Sequence, residues 1–163
     1  MVFKPLERLE NGGRIEDFDY FSRGACGKIY CSQEKAIKIP YDFHNGNFLR
    51  DRKTQWRLHE EFNVQKLAVD LGISFPAVYG VKSVFDEKGI CYPAIFMKFL
   101  EGKDFGKLEG DILKEAENQR NLEIEKAKDF GFVIRDSHLM NSIWIPGEEK
   151  TYLLDAGLWK FRG

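Results

Sequence analysis

Two segments near the end of the chain carry residue types that do chemistry. Ile134-Arg135-Asp136-Ser137-His138-Leu139-Met140-Asn141 places an acid and an amide five residues apart. Leu153-Leu154-Asp155-Ala156-Gly157 places a second acid before a small residue and a glycine, behind an apolar run. Upstream lie Ser22-Arg23-Gly24-Ala25-Cys26-Gly27 and Lys35-Ala36-Ile37-Lys38. Glycines in such a loop let backbone N–H groups approach phosphate oxygens, because no side chain intervenes. A lysine flanked by Ala36, Ile37 and Ile39 must leave the strand surface for water or find a partner.

The elements that must position them follow from period and punctuation. Asn11-Gly12-Gly13 is a turn signal. Ile15 to Tyr30 holds two β-like runs around the Gly24–Gly27 loop. Ser32-Gln33-Glu34 makes a tight hairpin into Lys35–Ile39, and Pro40 ends that strand. Residues 42–51 are polar and read as a loop. From about Thr54 the period changes: Leu58, Phe62, Val64, Leu67, Ala68 and Leu71 fall at helical spacings, and Gly72 suits the left-handed residue that ends a helix.

Ala77–Phe85 and Ile90–Phe99 read as two further strands joined by Asp86-Glu87-Lys88-Gly89. Five strands and one helix are therefore expected up to about residue 99. Glu101-Gly102-Lys103-Asp104 is expected to be a connector. Residues 111–129 are rich in good helix formers, with a thin apolar stripe of Ile112, Leu113, Ala116, Leu122, Ile124 and Ala127, and are expected to form one helix or a pair. Ser142–Ile145 and Thr151–Leu154 flank Pro146-Gly147 as a final hairpin.

Composition narrows the class. With 163 residues the chain can form one compact domain, or two small lobes sharing a cleft. Apolar residues at 43% and charged residues at 31% suit a soluble globular protein. A net charge of −1 without a basic stripe makes nucleic acid an unexpected partner. No apolar run approaches a membrane span, so no membrane association is expected. The first eight residues carry no apolar signal region. Cys26, Cys31 and Cys91 are too few for a disulfide framework or zinc site, so a reducing cytoplasm is expected, the producer's own or a host's.

The arrangement resembles the protein-kinase-like superfamily, especially its atypical and reduced members: RIO kinases, aminoglycoside and choline phosphotransferases, and the minimal kinases of bacterial effectors and phages. The resemblance covers about residues 15–160. It implies an α+β fold: an N-terminal lobe of five strands and one helix (about 1–97), a hinge (about 98–102) and a truncated C-terminal lobe carrying a β-hairpin (103–163).

The resemblance also implies roles. Gly24 and Gly27 match the second and third glycines of the phosphate-covering loop, and Ser22 stands where the first usually is. Lys38 matches the strand lysine that pairs with the α- and β-phosphates of ATP, with Ala36 beside it in the nucleotide pocket. Glu61 resembles the helix glutamate that holds this lysine. Glu60 is the alternative, and Glu61 is favoured because Val64 follows it at three-residue spacing. Met97 would stand at the back of the pocket, and backbone groups near Lys98, Phe99 and Leu100 would bind the adenine edge.

Asp136 matches the catalytic-loop aspartate, with Arg135 before it and Ile134 where a histidine is usual. His138 makes the segment Asp-x-His-x-x-Asn, as in the phosphotransferase branch. Asn141 and Asp155 match the Mg²⁺-binding pair, and their hard oxygen donors suit that ion. Ala156 replaces the aromatic residue of Asp-Phe-Gly, so switching by that side chain is not expected.

Eight residues follow Asp155. On the resemblance no activation loop, Ala-Pro-Glu segment or later helices are expected. Docking of a peptide in the usual groove and control by activation-loop phosphorylation are therefore not expected. Trp144, Leu158, Trp159 and Phe161 would then be partly exposed, marking a surface for self-association or a partner protein.

The expected function is an ATP- and Mg²⁺-dependent phosphotransferase, with protein Ser/Thr as first acceptor. Two alternatives stay open. A small-molecule kinase is suggested by Asp-x-His-x-x-Asn. A pseudokinase that binds nucleotide or a partner is suggested by Ser22, Ile134 and the short C-terminal part.

Overall fold

In the strand Lys35–Pro40 successive side chains alternate between two faces, so Ile37 and Ile39 point one way and Ala36 and Lys38 the other. Ile37 and Ile39 join Ile15, Val84, Ala94 and Phe96 in one core cluster. That cluster organises the first of two compact units, Met1–Phe62 with Val78–Phe99; the second comprises Asn63–Ala77 with Leu100–Gly163. The computed structural model describes residues 5–23 and 27–163. Gly24, Ala25 and Cys26, in the expected phosphate-covering loop, lie outside the described residues.

The first unit is built on a mixed six-stranded sheet. Its strands are β1 (Asn11–Arg14), β2 (Asp19–Arg23), β3 (Gly27–Ser32), β4 (Lys35–Pro40), β5 (Val78–Phe85) and β6 (Cys91–Lys98), in the order β1-β5-β6-β4-β3-β2. All neighbours are antiparallel except β1 and β5. Five of these strands follow the sequence reading, and β1 corrects it. Asn11-Gly12-Gly13 does not turn the chain there but forms an edge strand paired with Ser83–Phe85. The physical reason is close approach. A Cβ on Gly12 would stand 2.4 Å from the Phe96 ring and 3.0 Å from the Ser83 carbonyl oxygen. Glycine is there to let the backbone lie down on the sheet.

Helix α1 (Arg52–Asp70) crosses from one set of residues to the other. Asp51 starts it: its Oδ1 accepts the Thr54 N–H at 3.0 Å and its Oδ2 accepts the Thr54 hydroxyl at 2.6 Å. Gly72, at φ +79°, ends it. The Ile73 N–H reaches the Ala68 carbonyl and the Gly72 N–H reaches that of Val69, both at 2.9 Å. This is the Schellman arrangement, and Ile73 and Ala68 share a core cluster as that motif favours.

The second unit is organised by helix α2 (Gly110–Asp129) and short strands: β7 (Lys103–Asp104), β8 (Phe132–Val133), β9 (Ser142–Ile145), β10 (Lys150–Leu153) and β11 (Lys160–Phe161). β9 and β10 form the expected hairpin, with Ser142 opposite Leu153 and Ile145 opposite Lys150. β7 adds to β9, so Lys103 and Asp104 are strand rather than connector. α2 is a single helix whose buried face is Ala116, Arg120, Ile124 and Ala127. Ile112 and Leu122, counted on its apolar stripe from sequence, are exposed.

Trp159 corrects a further expectation. It packs edge-on against Phe75, 5.0 Å between ring centres, and against Phe132, and is only 6% exposed. Trp144 is equally buried, with Phe105, Leu108 and Ala116. Of the four residues expected at a bare surface, only Leu158 and Phe161 are exposed. Among the described residues no helix is long and apolar enough to cross a membrane.

Candidate functional site

In the first unit, Lys38 projects from β4 on the face opposite Ile37 and Ile39. Its Nζ donates to Glu61 Oε1 at 2.6 Å, and the two side chains are 8% and 9% exposed. The α1 period explains why Glu61 is the partner. Leu58, Glu61, Gln65 and Ala68 are spaced by three and four residues and form one buried stripe. Glu60 is one step, about 100°, off that stripe and is exposed.

Other predicted residues lie along the same sheet. Gly27 opens β3 opposite Pro40, and a Cβ there would stand 2.9 Å from both Cγ and Cε of Lys38. Its missing side chain is what lets the lysine stem pass. Ala36 is buried and pairs with Met97 at the end of β6. Ser22 is half-buried on β2. The register of β2 on β3 slips between Tyr20 and Ser22, leaving Phe21 as the extra residue of a bulge. Phe21 stacks edge-on against Phe99 at 5.2 Å.

Lys98 is exposed, and the Phe99 N–H is already used, donating to the Glu34 carbonyl at 2.7 Å. That N–H is one of the backbone groups expected at the adenine edge, and here it fastens the chain after β6 to the β3–β4 turn.

In the second unit the β9–β10 hairpin does the positioning. Ser142 faces Leu153, so the residues just outside the hairpin, Asn141 and Leu154, are opposite each other. The Leu154 N–H donates to the Asn141 carbonyl at 2.8 Å. Asp155 therefore follows directly on the residue bonded to Asn141. Its φ is +57°, in the left-handed region that non-glycine residues rarely adopt. Asp155 Oδ1 accepts the Gly157 N–H at 3.1 Å, a local bond that suits this conformation. Ala156 is fully buried beside Trp159 and Leu153, which fixes the segment from the other side.

Asp136 lies in the loop between β8 and a short 3₁₀ turn, Leu139–Asn141, and is half-buried. The Asn141 N–H closes that turn on the His138 carbonyl at 2.9 Å. Ile134 packs on the Trp159 cluster, while Arg135 and His138 are exposed. Asp136, His138 and Asn141 line a small cavity together with Ser142, Leu154 and Arg120.

Arg120 is the residue that sequence reading missed. Its guanidinium is buried, donating from Nη2 to the Ser137 carbonyl and from Nη1 to Asn121 Oδ1 at 3.1 Å. Burial pushes its pKa down from the ordinary value, and the nearby Glu117 carboxylate opposes this in part. The signal was spacing: Arg120 stands four residues from both Ala116 and Ile124, on the buried face.

No protein-family model matches the chain, and no curated protein matches it in sequence.

Proposed function

We propose that the chain is an ATP- and Mg²⁺-dependent phosphotransferase of the protein-kinase-like kind, acting on protein serine or threonine. The observation that carries this reading is the buried Lys38–Glu61 ion pair, 2.6 Å between nitrogen and oxygen. A buried pair costs desolvation of both ions, and a pair of apolar side chains would serve a core as well or better. Holding an ammonium in one place is useful where a polyanion must be received.

Lys38 would carry the positive charge to the α- and β-phosphates, with Glu61 fixing its direction. Asp136 would orient the acceptor hydroxyl. As that oxygen bonds to the γ-phosphorus, the bond to the bridging oxygen of ADP breaks and the proton passes to the Asp136 carboxylate. Asn141 and Asp155 fit Mg²⁺ by donor chemistry: an amide oxygen and a carboxylate, brought close by the Leu154–Asn141 bond. A hard cation completes its shell with water and phosphate oxygens. When bound, it supplies neutralisation of phosphate charge.

The protein acceptor is supported by the surroundings of Asp136. Ser137, His138, Leu139 and Met140 are all exposed, with Leu139 and Met140 offering apolar surface beside the acid. An extended chain can lie on such a loop, whereas a small metabolite is better held in an enclosed pocket.

The test is transfer of label from γ-labelled ATP, with Mg²⁺, to the protein itself or to a generic protein acceptor, beside Asp136→Ala. Label that disappears in the variant supports the reading. Label that persists in Asp136→Ala, or never forms, removes it; nucleotide binding without transfer would favour a nucleotide-sensing module.

A further inference from the structure

Arg120 has no ordinary structural reason to be where it is. It occupies a buried position on α2 between Ala116 and Ile124, on the helix's apolar face. Among the described residues no carboxylate lies within ion-pair distance of it, and its buried Nε has no hydrogen-bond partner. A buried guanidinium with no carboxylate in ion-pair contact is costly, and its directed bonds are what such a group offers a site. Among the described residues its one long-range bond runs to the Ser137 carbonyl, seventeen residues away and next to Asp136.

We infer that Arg120 is a positioning residue, which fixes the loop carrying Asp136 and Asn141 by clamping the Ser137 carbonyl from α2. A charge-assisted bond to a carbonyl is stronger than a neutral one and sets direction as well as distance. The loop is otherwise tied after the acid by the Asn141–His138 turn and the Leu154–Asn141 bond, and before it by the pairing of Phe132–Val133 with Lys160–Phe161 and by Ile134 on the Trp159 cluster. Arg120 supplies the tie between these, at the residue directly after the acid. α2 is a rigid base for it, because Gln119 accepts the Thr151 N–H, the Thr151 hydroxyl bonds the Ala116 carbonyl, and Glu123 holds the Ser74 N–H.

The effect on transfer rests on the phosphotransferase reading; the effect on the loop does not. The experiment compares the full chain with Arg120→Met and Arg120→Lys by amide hydrogen exchange, thermal melting and transfer kinetics. Methionine keeps the packing, and lysine keeps the charge but loses the planar fork. Faster exchange confined to residues 135–141 is expected in both, with α2 and the β9–β10 hairpin as protected as before. In transfer, a fall in kcat of about 10²-fold with KM for ATP unchanged is expected, since a small displacement of an acid has that effect.

Unchanged exchange in the loop of both variants overturns the inference. So does exchange that rises throughout α2, or failure of both variants to fold, since either makes Arg120 a packing residue. If the wild-type chain transfers no phosphate, the functional reading falls, and the exchange pattern still decides the role of Arg120.

Discussion

Lys38 on β4 and Glu61 on α1 form a buried ion pair at 2.6 Å, with 8% and 9% of their side chains exposed. Breaking a buried ion pair by removing one partner costs about 3–5 kcal/mol. Glu61→Ala is therefore expected to lower unfolding stability by that order. Lys38→Met combined with Glu61→Leu is expected to recover most of it. Denaturant unfolding of the two single variants and the double gives the coupling directly. Losses that simply add would show that the two charges do not depend on each other.

Asp155 makes a second, opposite kind of prediction. Its backbone is left-handed at φ +57°, a conformation costing an ordinary residue about 1–2 kcal/mol. Asp155→Gly is expected to keep or slightly raise the melting temperature while abolishing Mg²⁺-dependent transfer. Asp155→Val is expected to lose both. A glycine variant that melts well below wild type would mean that the Asp155–Gly157 bond outweighs the backbone strain.

Helix α1 carries a pH dependence through Asp51. The Thr54 hydroxyl and N–H bonds to its carboxylate hold its pKa below the ordinary carboxylate value. A lowered folded-state pKa means that the unfolded chain takes up the proton first. The cap's stabilisation is then full above about pH 4 and is lost as pH falls through the lower folded value. Asp51→Ala is expected to cost about 1 kcal/mol at neutral pH. The gap to wild type should close on acidification, and a gap that stays constant down to the acid transition would exclude the ionised cap.

Gly102 tests the placement of β7. A Cβ there would meet the Trp144 carbonyl oxygen at 2.5 Å and side-chain atoms of Ile145 and Ile143 at 2.6 and 2.8 Å. Backbone cannot move aside as a side-chain tip can, so Gly102→Ala is expected to cost about 1–3 kcal/mol by overpacking. A melting temperature equal to wild type would place residue 102 away from β9.

Local periodicity carried much of this protein. The strand pattern of Lys35–Ile39 and the helical spacing of α1 were legible, because each depends on residues close in sequence. Glu61 could be preferred over Glu60 on spacing alone, since the face of a helix is set by its own 3.6-residue period. The hairpin of Ser142–Ile145 with Thr151–Leu154 was legible for the same reason, and the folded chain puts its last strand at Lys150–Leu153.

Other features needed the folded chain. Gly12 reads as a turn residue until Phe96, more than eighty positions away, arrives beneath it. Trp159 looks bare until Phe75 and Phe132 enclose it. Arg120 was passed over because an apolar stripe was counted by residue type, and its bond to the Ser137 carbonyl exists only in the folded chain. Sequence by itself determined which residues share a strand or a helix face, through fixed backbone geometry. Tertiary structure decided which of those faces meet, because burial and partner choice are contacts between segments that no local pattern encodes.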